Sequence, residues 1–253
     1  MDDIDKIFSK FRPLNHNAGN TIYGLGGDLK SKKFQDNYRF GSILKNSELY
    51  APTFEKFNDI DEGRFCIYGD YRQNQNLINI IRNQKGKLHI CSFSYDDDIN
   101  FIEDKMWAHY ANAHCGVKID FKIDREKFKD KLLKVEYNDR EIYISTTPNS
   151  EEIEKIISKK KSYWVEEAEY RAITSKDSVP IKIIKITLGK KFSSKNYTND
   201  KVESEDFEKN IKGVAKQILD VLKNSGNYSS SLPEIWAYKT MYSQDPQKIN
   251  LEQ

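Results

Sequence analysis

The sequence predicts an α+β fold, a single domain in which a mainly antiparallel mixed sheet is flanked by helices. Period-two alternation supplies the strands. In "GVKIDFKI", Val117, Ile119, Phe121 and Ile123 alternate with Lys118, Asp120 and Lys122. Helical stripes supply the second layer. In "EDFEKNIKGVAKQILDVLKNSG", Phe207, Ile211, Val214, Ile218 and Leu222 fall on one face. Strand and helix patterns are interspersed along the chain without a clear internal repeat, which favours one α+β domain.

The elements follow in order. Ile4, Ile7, Phe8 and Phe11 recur at helical spacing behind Asp2 and Asp3, and Arg12-Pro13 ends that predicted helix. The next segment, "NHNAGNTIYGLGGDLKSKK", is polar. Its Gly24, Gly26 and Gly27 miss the dinucleotide fingerprint, so a turn is expected there. Residues 1–35 therefore read as a helix and connector, and 36–253 as the α+β domain. Beyond Asp36 the pattern gives "NYRF" as a short strand, "GSILKN" as a helical turn or two, "ELYAP" and "RFCIYGDY" as strands, and a helix through "NQNLINIIRNQ" stopped at Gly86. "KLHICSFS" is a strand and "FIEDKMWAHYANAHCG" a helix. "KVEYND" and "REIYIST" suggest a hairpin about Asn138-Asp139. "NSEEIEKIISKKKSYW" reads as a helix with acids first and lysines last, as its dipole prefers. "EEAEYRAITS", "VPIKIIKITLG" and "LPEIWAYKTMY" are the last strands, ahead of a polar tail.

Composition narrows the function. The 253 residues suffice to bury a core, and 15 Tyr with 13 Phe argue for a folded chain despite 32% charged residues. A net charge of +2 gives no global field for nucleic acid. No apolar run reaches membrane-spanning length, and "MDDIDKIFSKF" lacks a signal peptide's features, so a cytoplasmic protein without a membrane partner is expected. Cys66, Cys91 and Cys115, three and widely spaced, suggest reduced, buried thiols.

Several segments in order, "NYRF", "ELYAPTFEKFND", "CSFS", "MWAHYANAHCGVKIDF", "KVEY", "KKSYWVEEAEYR" and "IKIIKITLG", resemble the bacterial domain-of-unknown-function family 2971 from about Asp36 onward. That family commonly has proline after "FND", where this chain has Ile60. A second resemblance carries chemistry. Arg39 in "YR", Ser92 and Ser94 in "CSFS", and Glu167 and Glu169 in "EAEYR" are similar in order to the arginine–serine–glutamate class of ADP-ribosyltransferases. The long insertion between "CSFS" and "EAEYR" departs from that class.

This resemblance implies an ADP-ribosyltransferase-like fold and an NAD-consuming enzyme, either a transferase with a protein or nucleic-acid acceptor or an NAD glycohydrolase. A role as a bacterial toxin or phage-defence effector would follow. It implies Glu169 and Glu167 as catalytic carboxylates, with NAD held by Arg39, Ser92 and Ser94. Trp107, His109 and Tyr110 would line the nicotinamide end. Such carboxylates stabilise the positive charge that a ribose develops as nicotinamide departs. On a strand, Glu167, Glu169 and Arg171 would share one face.

Taken singly, these residues have plainer readings. E-x-E-x-R is commonly a charge-paired sheet face, Arg39 a surface arginine, and Trp107 and Tyr110 core aromatics. His109 and His114 are five apart and do not form a zinc pair. Two other functions compete. Asp120 and Lys122 have the D-x-K spacing of Mg²⁺-dependent nucleases, with Asp97, Asp98 or Asp104 as a second acid. Alternatively the lysine-rich "KIISKKKSYW" helix end docks an acidic partner in a binding domain without catalysis.

Overall fold

The computed structural model describes residues 6–14, 22, 25, 35–57, 62–95, 103–193, 204–228, 231–239 and 242–251, the side chains of 204–209 excepted. The Gly24–Gly27 turn, Ile4 and the acids Asp97 and Asp98 lie outside the described residues, as does the Phe207 side chain. The strands are β1 (Phe8–Arg12), β2 (Glu48–Tyr50), β3 (Cys66–Ile67), β4 (His89–Tyr95), β5 (Val117–Ile123), β6 (Lys131–Lys134), β7 (Glu136–Tyr137), β8 (Tyr143–Ile144), β9 (Lys159–Lys160), β10 (Glu169–Thr174), β11 (Ser178–Leu188), β12 (Glu234–Ala237) and β13 (Gln247–Lys248). The helices are α1 (Gln35–Asn46), α2 (Gln75–Gly86), α3 (Glu103–Tyr110), α4 (Ser150–Ile157) and α5 (Ser204–Asn224). The fold is α+β with a mixed, mostly antiparallel sheet. Among the described residues no helix is long and apolar enough to cross a membrane. Cys66, Cys91 and Cys115 form no disulfide, and of the three only Cys91 is buried, Cys66 and Cys115 being half-buried.

The chain groups into two compact units that interleave in sequence. One comprises Met1–Glu48, Asn100–Asp124 and Pro180–Gln253, the other Leu49–Ile99 and Arg125–Val179. In the first, strands run in the order β13-β12-β11-β5-β1, antiparallel except for the β11–β12 pair. The expected N-terminal helix is replaced by β1, whose Phe8 stands opposite Phe121 and Ser9 opposite Asp120. A 3.6-spaced apolar pattern this short is overridden when a neighbouring strand offers a ladder of hydrogen bonds. The "NYRF" segment is helical and forms the first turns of α1, continuous with "GSILKN". The polar tail contributes β13, paired with β12.

The β5 alternation is real, yet both of its faces are covered. Lys118 is 6% and Asp120 1% exposed. The Asp120 carboxylate accepts from Ser9 Oγ at 2.7 Å and pairs with Lys185 Nζ at 2.8 Å and Lys118 Nζ at 3.6 Å. A register shift between Ile183 and Lys185 aligns Lys185 with Asp120, the re-aiming that a β-bulge provides. The "MWAHYANAHCG" helix is shorter than its pattern suggests. α3 ends at Tyr110, and Asn112, Ala113 and His114 all take positive φ. A Cβ on Gly116 would lie 1.9 Å from the Arg12 carbonyl oxygen, so only glycine lets these backbones approach.

In the second unit β10 pairs antiparallel with β4 on one side and β6 on the other. The expected hairpin about Asn138-Asp139 does not form. Instead β8 pairs in parallel with β3, and β7 in parallel with β9. Hairpin residues fix only local geometry, and here two longer-range pairings outcompete it. α4 begins at a reciprocal capping box between Asn149 and Glu152. Its Ile153 and Ile156 pack with Ile81 of α2 and with Ile144, closing one core cluster. Ile90, Ile157 and Ile173 form another.

Candidate functional site

The "WVEEAEYR" segment supplies three buried charged side chains of the second unit, Glu167, Glu169 and Arg171. Glu169 and Arg171 lie on β10 and share a face, as the alternation predicts. Glu167 does not lie on that strand. It ends a 3-10 turn, Ser162–Glu167, and is followed by Ala168 in the left-handed region at φ 44°. That kink replaces strand pleating as the means of bringing Glu167 beside Glu169, and for a residue with a Cβ it costs about 1–2 kcal/mol.

Both carboxylates meet Lys160. Its Nζ donates to Glu167 Oε2 at 2.5 Å and to Glu169 Oε2 at 2.9 Å, and stands 3.4 Å from Glu62 Oε1. Arg171 donates through Nε to Glu169 Oε1 at 2.7 Å and through Nη2 to Glu62 Oε1 at 2.9 Å. Its Nη1 donates to the Ile157 carbonyl, one of the last of α4 and otherwise without a helical donor. Arg171 is fully buried, and the other four side chains are at most 8% exposed.

The parallel β7–β9 pair explains how Lys160 arrives. It sets Tyr137 opposite Lys160, and Tyr137 Oη accepts from the Glu169 backbone N–H at 2.8 Å. The lysine run is therefore not the solvated helix end that the sequence suggests. α4 stops at Ile157, Lys160 is buried, and Lys161 pairs with Glu141 at 3.7 Å.

The electrostatics follow from this packing. Burial alone would raise the Glu169 carboxyl, but the Arg171 and Lys160 cations foremost, with Ser92 adding to them, hold it down at about 2. Burial opposes the Lys160 ammonium, yet Glu169 and Glu167 outweigh it and push its pKa above the ordinary value. Glu62 is pushed upward, chiefly by burial. Its Oε2 is buried and has no hydrogen-bond partner among the described residues. Three carboxylates against two cations leave one formal negative charge when all are ionised.

The residues singled out from the sequence fall in both units. Ser92, Glu167 and Glu169 come together, with Arg171 opposite Ser92 and Glu169 opposite Ser94 in the β4–β10 register. Ser94 is 3% exposed. Arg39, Trp107, His109 and Tyr110 belong to the first unit. Arg39 sits on α1 rather than on a strand, 55% exposed and 3.7 Å from Asp36. Trp107 is fully buried: it stacks on His114 at 4.8 Å, meets Phe11 edge-on, and donates from its indole to Glu103. Its ring and its polar atom are engaged within the first unit. His109 and Tyr110 are exposed and pack edge-on against each other.

Sequence reasoning missed Lys160, Glu62 and Tyr137. Nothing local separates Lys160 from its neighbours in a run of lysines, and Glu62 sits in an acidic loop. For the nuclease alternative, the Asp120 carboxylate is engaged by Ser9, Lys118 and Lys185, while Asp104 faces His114 and Lys190. Among the described residues no group of three His, Cys, Asp or Glu side chains is placed to hold a metal ion. No protein-family model, curated protein or solved structure matches the chain.

Proposed function

We propose that this protein consumes NAD, breaking the nicotinamide–ribose bond and passing ADP-ribose to water or to an acceptor. The observation that carries the reading is the convergence of Ser92, Glu167 and Glu169 in one buried polar set, with Glu169 kept anionic. As the C1′–N bond breaks, its electron pair leaves with nicotinamide and the sugar becomes cationic. A fixed carboxylate favours that state over the neutral sugar. Water or an acceptor then adds at C1′ and its proton passes to Glu167. Both Glu169 oxygens are held by cations in the resting protein, so substrate must displace one. Lys160, on a flexible stem, is the one that can swing aside, while Arg171 is locked to Ile157, Glu169 and Glu62.

Nicotinamide release from NAD tests the proposal. Wild-type protein is expected to release it, and Glu169→Gln to lose at least about a hundredfold in rate, the scale of removing one transition-state charge contact. Melting curves of both proteins separate lost chemistry from lost folding. Absence of release by folded wild type, with water and with added acceptor proteins or nucleic acid, would overturn it.

A further inference from the structure

The second unit holds a cleft of about 400 Å³ along one face of α2. Asn74, Ile78, Arg82 and Lys85 line it at successive turns, a run of about 16 Å at 1.5 Å per residue. Its volume falls in the usual range for small-molecule sites. Asn74 stands at one end of that run and Arg82 with Lys85 at the other, Ile78 between them. Phe65 lies against Lys85, and Arg64 and Tyr71, the latter 57% exposed, also line the cleft.

Lys85 is the unusual member. It is 9% exposed, and its Nζ donates to the Gly63 carbonyl at 2.6 Å and lies over the rings of Phe54 and Phe65 at 5.0 and 5.1 Å. Among the described residues it has no carboxylate partner, and neither has Arg82. Burial, with Arg82 nearby, drops the ammonium to about 8. A buried cation without a counter-ion costs stability and persists where a ligand supplies the missing charge.

Glu62 forms part of the same wall. Its Oε1 is taken by Arg171 and Lys160, but its buried Oε2 has no partner among the described residues. One site thus presents three cations, an unsatisfied acceptor and an exposed aromatic ring. We propose that the α2 cleft is a nucleotide site, in which Arg64, Arg82 and Lys85 take phosphate and Glu62 Oε2 accepts from a ribose hydroxyl. The base packs on Tyr71 at the mouth. Planar guanidinium groups suit phosphate oxygens, and a carboxylate oxygen suits a hydroxyl donor. The inference deepens the NAD reading by giving the dinucleotide's phosphates a place that exposed Arg39 does not supply. It rests on that reading only for which nucleotide is bound.

Calorimetric titration of the full chain with ADP, adenosine and inorganic phosphate tests it. ADP is expected to saturate one site, with adenosine and phosphate each at least about tenfold weaker, since each lacks contacts worth more than 1.4 kcal/mol. Arg82→Ala, at an exposed position, should fold normally and weaken ADP at least about tenfold through loss of a charge-assisted contact. Lys85→Met should do the same, and Tyr71→Ala should weaken ADP while leaving phosphate unchanged. Phosphate binding as tightly as ADP would reduce the cleft to an anion site and overturn the nucleotide assignment. ADP affinity retained in both cation variants, or no ADP binding at all, would also overturn it. ADP binding without NAD cleavage sinks the proposed reaction and leaves this site standing. NAD cleavage unaffected by Arg82→Ala and Lys85→Met, in protein that does not bind ADP, does the reverse.

Discussion

Lys160 and Lys85 are both buried lysines of the same unit, and they have opposite surroundings. Lys160 touches three carboxylates, Glu62, Glu167 and Glu169, and its pKa is pushed up. Lys85 touches a carbonyl and two phenyl rings, and its pKa falls to about 8. Burial penalises both ammonium groups alike, so what separates them is the company each keeps. The first lysine is part of a closed network that holds the unit together. The second lines a cleft and, among the described residues, has no carboxylate partner.

The contrast should show most strongly when each lysine is made neutral. Lys160→Met leaves Glu167 and Glu169 short of a cation in the interior, and an orphaned buried charge costs about 3–5 kcal/mol. Denaturant unfolding should show that loss at neutral pH. It should shrink as the medium is acidified and Glu169, with Lys160 gone, takes up a proton. An unchanged midpoint would mean that the network carries no stability.

Lys85 should give a smaller effect of opposite sign. Its folded-state pKa lies below the ordinary 10.5, so its burial penalty is complete below about pH 8. Between pH 8 and 10.5 the unfolded chain binds the proton that the folded chain has released, and stability rises with pH. Lys85→Met should therefore be as stable as wild type or more so at pH 7. The difference between the two stability curves should close as pH rises from 8 to 10.5. A variant less stable than wild type throughout would show that the ammonium contributes to folding.

The finest distinction lies inside the closed network. Glu169 is depressed from the ordinary 4.5 to about 2, so its stabilisation is present above pH 4.5 and is lost as pH falls toward 2. Ser92→Ala takes away a hydroxyl that helps hold that carboxyl down and should lower stability at neutral pH by no more than about 1 kcal/mol. It should also move the acid unfolding midpoint upward. Identical acid limbs would remove Ser92 from the network.

Much of the secondary structure was legible because its causes are local. The alternation of β5, the acidic start of α4 and the stripe of α5 each appear within one short window. Two of the errors came where pairing over long separations decided the outcome. Phe8–Arg12 became a strand because Val117–Phe121 accepts it, and the hairpin about Asn138 gave way to pairings with Cys66–Ile67 and Lys159–Lys160. The site divides the same way. Ser92, Glu167 and Glu169 could be named from motif order, but their partners Lys160 and Glu62 could not, since neither stands out from its charged neighbours.

The sequence by itself determined an α+β fold and placed a dense acidic motif before a basic residue at Glu169 and Arg171. Side-chain periodicity and cap chemistry act between residues a few positions apart, and a linear reading captures them. Tertiary structure alone decided which lysine is neutralised and which has no carboxylate partner among the described residues. It also decided that Glu62 belongs at once to the charged network and to the wall of a cleft. Those outcomes depend on what each charge meets once water is excluded, and the chain order does not specify those neighbours.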